Sequence, residues 1–422
     1  MPMDAMPTTI EETPAGESEA FLYQRLASHY AQAMQRGVLG PGARMPSVRE
    51  LRHQHQVSHT TALQVLRELE ARGLIAARAR VGYFVNAQGP LLPAAREPER
   101  LEPFDAGASP FEGIGERIAE YLNRARLAGR LKADLGSAMP APELFDAGFL
   151  NRHAVALLRE QPDVLVYGPS APFTHPEFQE AMARYALTFG LRIAPMEIGA
   201  TLGNSEAVNL ALDALTQPGD VVAIESPTFY GIVQSVEARG LQALEIPSSP
   251  HTGMSLEALE LALRTQPRLK AVVVVPHLQM PQGATMPDSH KQRIVAMCST
   301  HGLALIEDDI YREFVEADTV MRPCKAWDED GTVIYCASLS KSFAPGLRLG
   351  WMNAGRWHER VQMIKFSRSR NMPTWPQLLG ARTVGTPTYL RHLARLRQHL
   401  RLQRQQAAHA VARYFPLGSR LS

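Results

Sequence analysis

The sequence predicts an α/β protein with two folded units. One is a small helical unit closed by a β-hairpin, and the other is a larger unit built on a mostly parallel sheet flanked by helices. The chain has 422 residues, more than a single hydrophobic core normally spans. Residues 21–86 contain amphipathic helical patterns and then two short strand-like runs. From about residue 131, apolar β-rich runs alternate with helical stretches, as in a parallel sheet with helices on both faces.

The composition is that of a well-packed globular protein, with 45% apolar and 20% charged residues. No run approaches the ~20 apolar residues of a membrane span, and the polar N-terminus lacks the features of a secretory signal. The three cysteines, Cys298, Cys324 and Cys336, are far apart and suggest neither a disulfide framework nor a metal pair. We therefore expect a cytoplasmic protein with no membrane partner and no metal.

Changes in composition along the chain predict four segments. Residues 1–20 are expected to be a disordered polar arm, and residues 21–86 a first folded domain. A linker rich in proline and charge covers 87–130. The sheet-containing domain is expected to occupy 131–422.

Basic charge is concentrated in the first unit. Nine arginines against three acidic residues give 21–86 a formal charge of about +6, whereas the whole chain carries +2. This asymmetry favours a polyanionic partner, although a solvated basic face explains the charge alone equally well.

Capping and turn residues divide the first unit into short helices. Ser47 and Glu50 form a capping-box pattern, Ser58 is placed to cap the next helix, and Gly73 is placed to end it. Two strand-like runs around Arg78 and Arg80 then predict a basic hairpin. This is the pattern of a winged helix-turn-helix, whose second helix enters the major groove of double-stranded DNA. A small protein-interaction module is the alternative.

The winged-helix interpretation assigns a role to each exposed polar position. The N-terminal residues of the second helix, His59, Thr60, Thr61 and Gln64, are expected near base edges, and the arginines near phosphates or the minor groove. The complete predicted DNA-binding set is Arg44, Ser47, Arg49, Ser58, His59, Thr60, Thr61, Gln64, Arg78 and Arg80.

The amino-acid sequence of this unit resembles that of GntR-type winged helices. The resemblance lies in the segments RMPSVREL, VSHTTALQVLRELEARGLI and RVGYFV. One position departs from that family, because His59 stands where an arginine is usual. A neutral histidine offers at most one bond to a base edge. The resemblance therefore implies an operator preference that differs from the family's and an affinity that is lower or acid-dependent.

In the larger unit, a lysine follows a predicted strand within the segment SLSKSFAPGLRLG, residues 338–350. Lys341 lies just past the strand's carboxyl end, where open α/β sheets bind their ligands. Its amine can bond covalently to an aldehyde cofactor, while nearby serine hydroxyls and Arg348 hold the cofactor's phosphate. Taken alone, the segment fits a surface lysine and a structural arginine equally well.

Three other segments that follow predicted strands add matching chemistry. Asp308 can keep a pyridine nitrogen protonated, and Tyr311 can bond a phenolic oxygen. Asn204 and Ser205 open a helix whose free amides make a phosphate seat. Phe229 offers a ring to stack on a pyridine.

Together these segments resemble the fold-type I aminotransferases, which use pyridoxal 5′-phosphate. The resemblance implies that Lys341 is the Schiff-base lysine and that Tyr167 reaches the phosphate of a partner subunit in a homodimer. The implied cofactor-binding set is Lys341, Asp308, Tyr311, Arg348, Ser338, Ser340, Asn204, Ser205, Phe229 and Tyr167. A GntR-type winged helix joined to such a domain resembles the MocR/PdxR group of bacterial transcription regulators.

Three departures from the aminotransferase pattern bear on function. Met280 stands where an asparagine usually donates to the cofactor's phenolic oxygen, and methionine cannot donate. The segment after Tyr167 lacks the usual glycine and Leu-Arg pair. The sequence after the helical pattern of 387–415 is short, so we expect the small C-terminal subdomain and its carboxylate-binding arginine to be missing.

These features favour a DNA-binding regulator that senses pyridoxal phosphate, or an amine or amino acid effector that reacts with it. Two alternatives are an aminotransferase with an accessory DNA-binding domain and a degenerate regulator that holds no cofactor. The shortened C-terminus argues against the first alternative, and the intact Lys341, Asp308, Tyr311 and Arg348 argue against the second.

Overall fold

The computed structural model describes residues 19–35, 38–78, 81–86, 139–166, 174–316, 320–416 and 418–421. The chain divides into two compact units, a small N-terminal unit and a large unit that contains the main sheet. The predicted arm at 1–20 and the predicted linker at 87–130 lie almost entirely outside the described residues. Within the described part of the chain, no helix combines the length and apolar character needed to cross a membrane.

The small unit has three helices followed by an antiparallel hairpin. Its elements are α1 (Glu19–Gln35), α2 (Val48–His55), α3 (His59–Ala71), β1 (Ile75–Arg78) and β2 (Gly82–Val85). Leu26, Leu51 and Leu66 pack into one core with Val85 of the hairpin. This arrangement is the predicted winged helix-turn-helix.

The predicted caps of α2 and α3 are present. The amide of Glu50 donates to Ser47 Oγ at 3.3 Å, and the amide of Ser47 donates to a Glu50 carboxylate oxygen at 2.6 Å. Ser58 Oγ accepts from the amide of Thr61 at 3.0 Å. Gly73 has a φ of 70°, the left-handed conformation expected where the helix ends. On α3, Leu63 is only half-buried, and Val65 lies in the core.

The large unit contains one eight-stranded sheet with helices around it. Its strands are β3 (Ile198–Thr201), β4 (Val221–Ser226), β5 (Gln242–Ser249), β6 (Gly253–Met254), β7 (Leu269–Val274), β8 (Ala304–Asp308), β9 (Val333–Ser338) and β10 (Gly350–Asn353). Its helices are α4 (Ala147–Glu160), α5 (Pro176–Leu187), α6 (Asn204–Leu215), α7 (Tyr230–Glu237), α8 (Leu256–Thr265), α9 (Asp288–Thr300), α10 (His358–Ser369), α11 (Thr374–Thr383) and α12 (Pro387–Tyr414).

The sheet has the order β3-β10-β9-β8-β7-β4-β5-β6. The five strands β5, β4, β7, β8 and β9 pair in parallel, while β10 and β6 run antiparallel to their neighbours. Every residue of β4, β8, β9 and β10 is buried, as expected for a sheet covered on both faces. The predicted mostly parallel sheet with flanking helices is therefore confirmed.

Candidate functional site

The strand order brings the predicted chemical residues to one edge of the sheet. Strands β3, β4, β7, β8 and β9 run in the same direction and end at this edge, and the antiparallel β10 begins there. Asn204, Phe229 and Asp308 therefore converge with Lys341, although they lie far apart in sequence. Ligands of open α/β sheets bind at the carboxyl ends of the strands.

A cavity of about 630 Å³ opens at this edge. Nine of the ten predicted cofactor-binding residues line it, namely Lys341, Asp308, Tyr311, Arg348, Ser338, Ser340, Asn204, Ser205 and Phe229. The tenth, Tyr167, lies outside the described residues. Met280 also lines the cavity, so the residue that departs from the family pattern is part of the same site.

The side chain of Asn204 does not have the orientation expected for a phosphate ligand. Its Nδ2 donates to Asp308 Oδ1 at 2.6 Å, across 104 residues of sequence. Both residues are buried, and Asn204 Oδ1 has no hydrogen-bond partner within the described structure. Asn204 therefore holds the Asp308 carboxylate, and its contribution to a phosphate seat is limited to its backbone at the start of α6.

Burial and neighbouring charges shift the two main titratable groups of the cavity. Burial, reinforced by Asp309, raises the pKa of Asp308 to about 7, and the Asn204 and Lys341 contacts oppose that rise. The pKa of Lys341 is lowered by burial and by the nearby Arg348 charge. A lysine with a lowered pKa has a larger share of neutral, nucleophilic amine.

At the end of the cavity that contains Arg348, the backbone of Gly203 lies close to the guanidinium. Gly203 has a φ of 79°, and a Cβ at this position would lie 3.1 Å from Arg348 Nη2. Arg348 itself is left-handed, with a φ of 50°, and its Nη2 donates to the carbonyl of Leu202 at 3.3 Å. Ser338 Oγ and Ser340 Oγ lie 3.0 Å apart beneath the Lys341 turn. A guanidinium, two hydroxyls and the amides that begin α6 thus face the same space.

Phe229 and Tyr311 are the two predicted aromatic residues that line the cavity. The ring of Phe229 packs against Gly231. A Cβ at position 231 would lie only 2.4 Å from Phe229 Cε1, so a glycine is needed there to leave room for the ring. Tyr311 Oη points toward Met280 Sδ at 3.9 Å. Burial raises the pKa of Tyr311 to about 12, so its hydroxyl stays a donor at neutral pH.

Sequence reasoning missed a second group of cavity residues on α6, on α7 and just beyond them. Asn209, Gln234, Ser235 and Arg239 line this part, together with Met139 from the segment before α4. Arg239 Nε pairs with Asp213 Oδ1 at 2.7 Å, so its charge is already balanced. No motif marks these residues, because ordinary helical polar positions give no signal that they face a cavity.

A buried polar network lies behind Asp308. Asp309 Oδ1 is 2.6 Å from His277 Nδ1, and His277 Nε2 is 2.8 Å from Lys291 Nζ. Asp309 Oδ2 accepts from Tyr335 Oη at 2.9 Å. The pKa of Asp309 is lowered by His277 and Arg312 despite its burial. The network fixes the end of β8 to the loop that carries Met280.

The residues of the cavity fit pyridoxal 5′-phosphate. The donor set supplies an amine for the aldehyde, a carboxylate for the pyridine nitrogen, and a hydroxyl near the phenolic oxygen. The glycine-lined approach at Gly203 and the guanidinium of Arg348 suit a phosphate. Asn204 Oδ1, which is buried without a hydrogen-bond partner in the described structure, leaves an acceptor available beside Asp308.

The buried carboxyl group of Glu225 is expected to make the folded protein less stable as the pH rises. Glu225 accepts from the amide of Val275 at 2.9 Å, and burial raises its pKa to about 8. Between about pH 5 and pH 8 the unfolded chain loses this proton while the folded chain keeps it, which lowers the free energy of unfolding by about 1.4 kcal/mol per pH unit for one proton. We expect urea unfolding of Glu225→Gln to show a shallower decline than wild type, and exposed Glu260→Gln to match wild type. An unchanged slope in Glu225→Gln would contradict this assignment.

The predicted DNA-binding residues of the small unit divide into an exposed set and a structural set. The exposed set is Arg44, Arg49, Ser58, His59, Thr60, Gln64 and Arg78. The prediction for Thr61 was wrong, because Thr61 is 3% exposed and its hydroxyl lies 2.8 Å from Ser58 Oγ. Ser47 is half-buried in its capping box, and Arg80 lies outside the described residues.

Two arginines are held on the hairpin. Arg44 forms an antiparallel bridge with Phe84, and a Cβ on Gly82 would lie 3.6 Å from Arg44 Nε. The guanidinium of Arg78 lies over the Phe84 ring, 4.4 Å from its centre. The hairpin region therefore presents two exposed cations, which suits contacts with phosphates.

The fold and the site define a helix-turn-helix regulator that carries an aminotransferase-class domain. Residues 22–85 match the family model for bacterial regulatory proteins of the gntR family, and residues 146–418 match that for aminotransferase class I and II. The chain belongs to the MocR type of GntR-family transcription regulators.

Known proteins agree with this assignment over most of the chain. The uncharacterized HTH-type transcriptional regulator YjiR of Escherichia coli (strain K12) is 33% identical over 403 residues, covering 93% of this chain and 82% of the relative. The uncharacterized HTH-type transcriptional regulator YdcR of the same strain is 34% identical over 400 residues, with the same coverage. The large unit is similar to a kynurenine aminotransferase of Pyrococcus horikoshii in complex with PMP, with a TM-score of 0.64, 25% identity, and coverage of 72% of this chain and 75% of that chain.

Proposed function

We propose that this chain is a DNA-binding transcription regulator whose aminotransferase-like domain binds pyridoxal 5′-phosphate and senses it, or an amine or amino acid that reacts with it. The convergence of Lys341 and Arg348, from one segment, with Asp308, from another, on one cavity carries the proposal. The exposed, basic face of the winged helix supports DNA as the partner of the other unit.

The predicted cofactor-binding residues would divide the work of holding the cofactor. Lys341 would hold the aldehyde end, Asp308 the pyridine nitrogen, and Tyr311 the phenolic oxygen. The phosphate would be held by Arg348, Ser338, Ser340, Ser205 and the first amides of α6, and Phe229 would stack on the ring. When bound, the cofactor supplies an aldehyde that amines can compete for and a ring that takes up electrons.

The chain's own residues prepare this site before the cofactor arrives. Asn204 fixes the direction of the Asp308 carboxylate at 2.6 Å, which spares the site some reorganisation on binding. The lowered pKa of Lys341 favours the neutral amine. Met280 leaves Tyr311 as the donor to the phenolic oxygen, and one lost hydrogen bond costs about 1 kcal/mol. We therefore propose that the cofactor is bound less tightly than in aminotransferases with an asparagine at this position.

The proposed working form of the protein is a homodimer in the cytoplasm. Tyr167 is a proposed phosphate ligand supplied by a partner subunit, which makes the working form a homodimer. Two winged helices in one dimer would read two half-sites of an operator, and their spacing would change with the state of the cofactor pocket. A regulator of this kind acts in the cytoplasm.

Absorbance titration of the full chain with pyridoxal 5′-phosphate tests the cofactor part of the proposal. We expect a new visible band that saturates with cofactor and shifts when a reactive amine is added. A spectrum equal to the sum of free cofactor and protein would overturn it. The chain would then be a winged-helix DNA binder with a relic domain, and operator footprinting would be the way to pursue it.

Aminotransferase activity is the second candidate function, because the cavity contains Lys341, Asp308 and Tyr311 together. Incubating the loaded protein with amino acids and a 2-oxo acid would reveal turnover. A product concentration many times the protein concentration would support a working enzyme with an accessory DNA-binding domain. If each protein molecule converted only its own bound cofactor, once and without further turnover, the result would favour the sensing role.

A further inference from the structure

The turn that carries Lys341 is held partly by a helix distant in sequence. Within the turn, the amides of Phe343 and Ala344 both donate to the carbonyl of Leu339, at 2.9 and 3.0 Å. The carbonyl of Ser342, the residue next to Lys341, has a different partner. It lies 2.9 Å from Nε2 of His392, which is on α12 and 50 residues further along the chain.

The chemistry of this contact fixes the role of His392. A backbone carbonyl can only accept, so the hydrogen bond requires a proton on Nε2. His392 is 6% exposed, and it lines a small cavity of about 10 Å³ with Phe343 and Tyr389. A buried carbonyl that loses its donor must break its local geometry or remain unsatisfied.

The same helix holds the loop on the other side of the cavity. Arg397 Nη1 donates to the carbonyl of Glu313 at 3.0 Å, two residues after Tyr311. Glu313 is itself buried and accepts from Tyr185 Oη at 3.1 Å. Helix α12 therefore contacts two of the loops that contribute predicted cofactor residues, one through His392 and the other through Arg397.

We infer that His392 is a positioning residue for Lys341: its Nε2–H fixes the Ser342 carbonyl and so directs the Lys341 amine into the cavity. The apolar contacts of α12 do not depend on this bond. Tyr389, Leu393 and Leu396 are each at most 3% exposed and anchor the helix by packing. Loss of the His392 bond is therefore expected to change the Lys341 turn more than the attachment of α12.

The test uses the full chain with three substitutions on α12. His392→Leu removes the donor, whereas His392→Gln places an amide nitrogen near the position of Nε2. Arg395→Gln is the control, since its ion pair with Asp146 at 3.6 Å is between side chains that are 67% and 36% exposed. We expect His392→Leu to weaken pyridoxal 5′-phosphate binding about tenfold and to shift the visible band. His392→Gln should recover both in part, and Arg395→Gln should match wild type.

The inference rests on the proposed function of Lys341. A second measurement, the reactivity of the Lys341 amine, can nevertheless be made without the cofactor. In the cofactor-free protein, the rate of Lys341 acylation by an amine-reactive ester can be followed by peptide mass spectrometry. We expect this rate to change at least several-fold in His392→Leu and to return toward wild type in His392→Gln. If wild type bound no cofactor, the proposed function would fail and this rate would still decide the inference.

Equal cofactor affinity, equal visible band and equal Lys341 acylation in His392→Leu and wild type would overturn the inference. Should His392→Leu fail to fold, His392→Asn takes its place, because the shorter amide places its nitrogen near the position of Nδ1 and cannot reach Ser342. A folded His392→Asn protein that matched wild type in all three measurements would overturn it as well.

Discussion

Lys341→Ala is expected to abolish covalent retention of pyridoxal 5′-phosphate. Lys341 is the only lysine that lines the cavity among the residues that the structure describes. Other lysines of the large unit have partners elsewhere: Lys291 Nζ lies 2.8 Å from His277 Nε2, and Lys325 Nζ lies 2.7 Å from Asp328 Oδ2. Lys365 donates to the carbonyl of Ala200. No other described lysine is placed to replace Lys341.

Borohydride reduction followed by peptide mass spectrometry measures this retention. Wild type should carry the reduced cofactor on the peptide that contains Lys341, and Lys341→Ala should carry none. Lys270→Ala is the matched control, because Lys270 is exposed on β7 and lies outside the cavity. Labelling of the Lys341→Ala protein at another single lysine, with the wild-type yield, would contradict the assignment.

Leu66→Ala is expected to have the largest effect on the small unit. Leu66 is 0% exposed and lies at the centre of the core formed by α1, α2, α3 and the hairpin. Truncating a buried leucine costs about 2–5 kcal/mol. Small domains have about 5–15 kcal/mol of total stability, so this loss would leave the DNA-binding unit largely or partly unfolded.

Two measurements separate the units in this experiment. DNA binding, followed by fluorescence anisotropy, should fall steeply in Leu66→Ala, while the absorbance titration with pyridoxal 5′-phosphate should match wild type. Leu63→Ala provides the comparison, since Leu63 is only half-buried and should cost less. If the small unit of Leu66→Ala kept the thermal stability of wild type, the core around Leu66 would not be the source of that unit's stability.

Local patterns made the strands and the caps predictable. The apolar β-rich runs of the sequence lie at strands: the run at 221–226 coincides with β4, and the runs at 303–309 and 332–338 match β8 and β9 to within a residue at either end. The Ser47–Glu50 capping box also follows from spacing alone, because its two hydrogen bonds join residues three apart. Periodicity and capping are properties of short segments, so a single sequence contains them.

Contacts between distant segments were not predictable in the same way. Asn204 has a small polar side chain at the start of a helix, which suits a phosphate seat, yet the fold brings it to Asp308 instead. Thr61 has the spacing of a base-reading residue, but the packing of α3 buries it. His392 lies within a long basic helix, and nothing local distinguishes it from the exposed His399 on the same helix. Tertiary packing decides each of these cases.

The most direct test of the account is the affinity of the full chain for its operator at different states of the cofactor pocket. A duplex selected by the protein from a random pool would be titrated by anisotropy without cofactor, with pyridoxal 5′-phosphate, and with cofactor plus an amine that shifts the visible band. Coupling between two sites typically changes affinity by about 5- to 150-fold. We predict a change of that size in wild type and none in Lys341→Ala. Identical DNA affinity in all three states, with the spectral shift present, would contradict the claim that this pocket controls DNA binding.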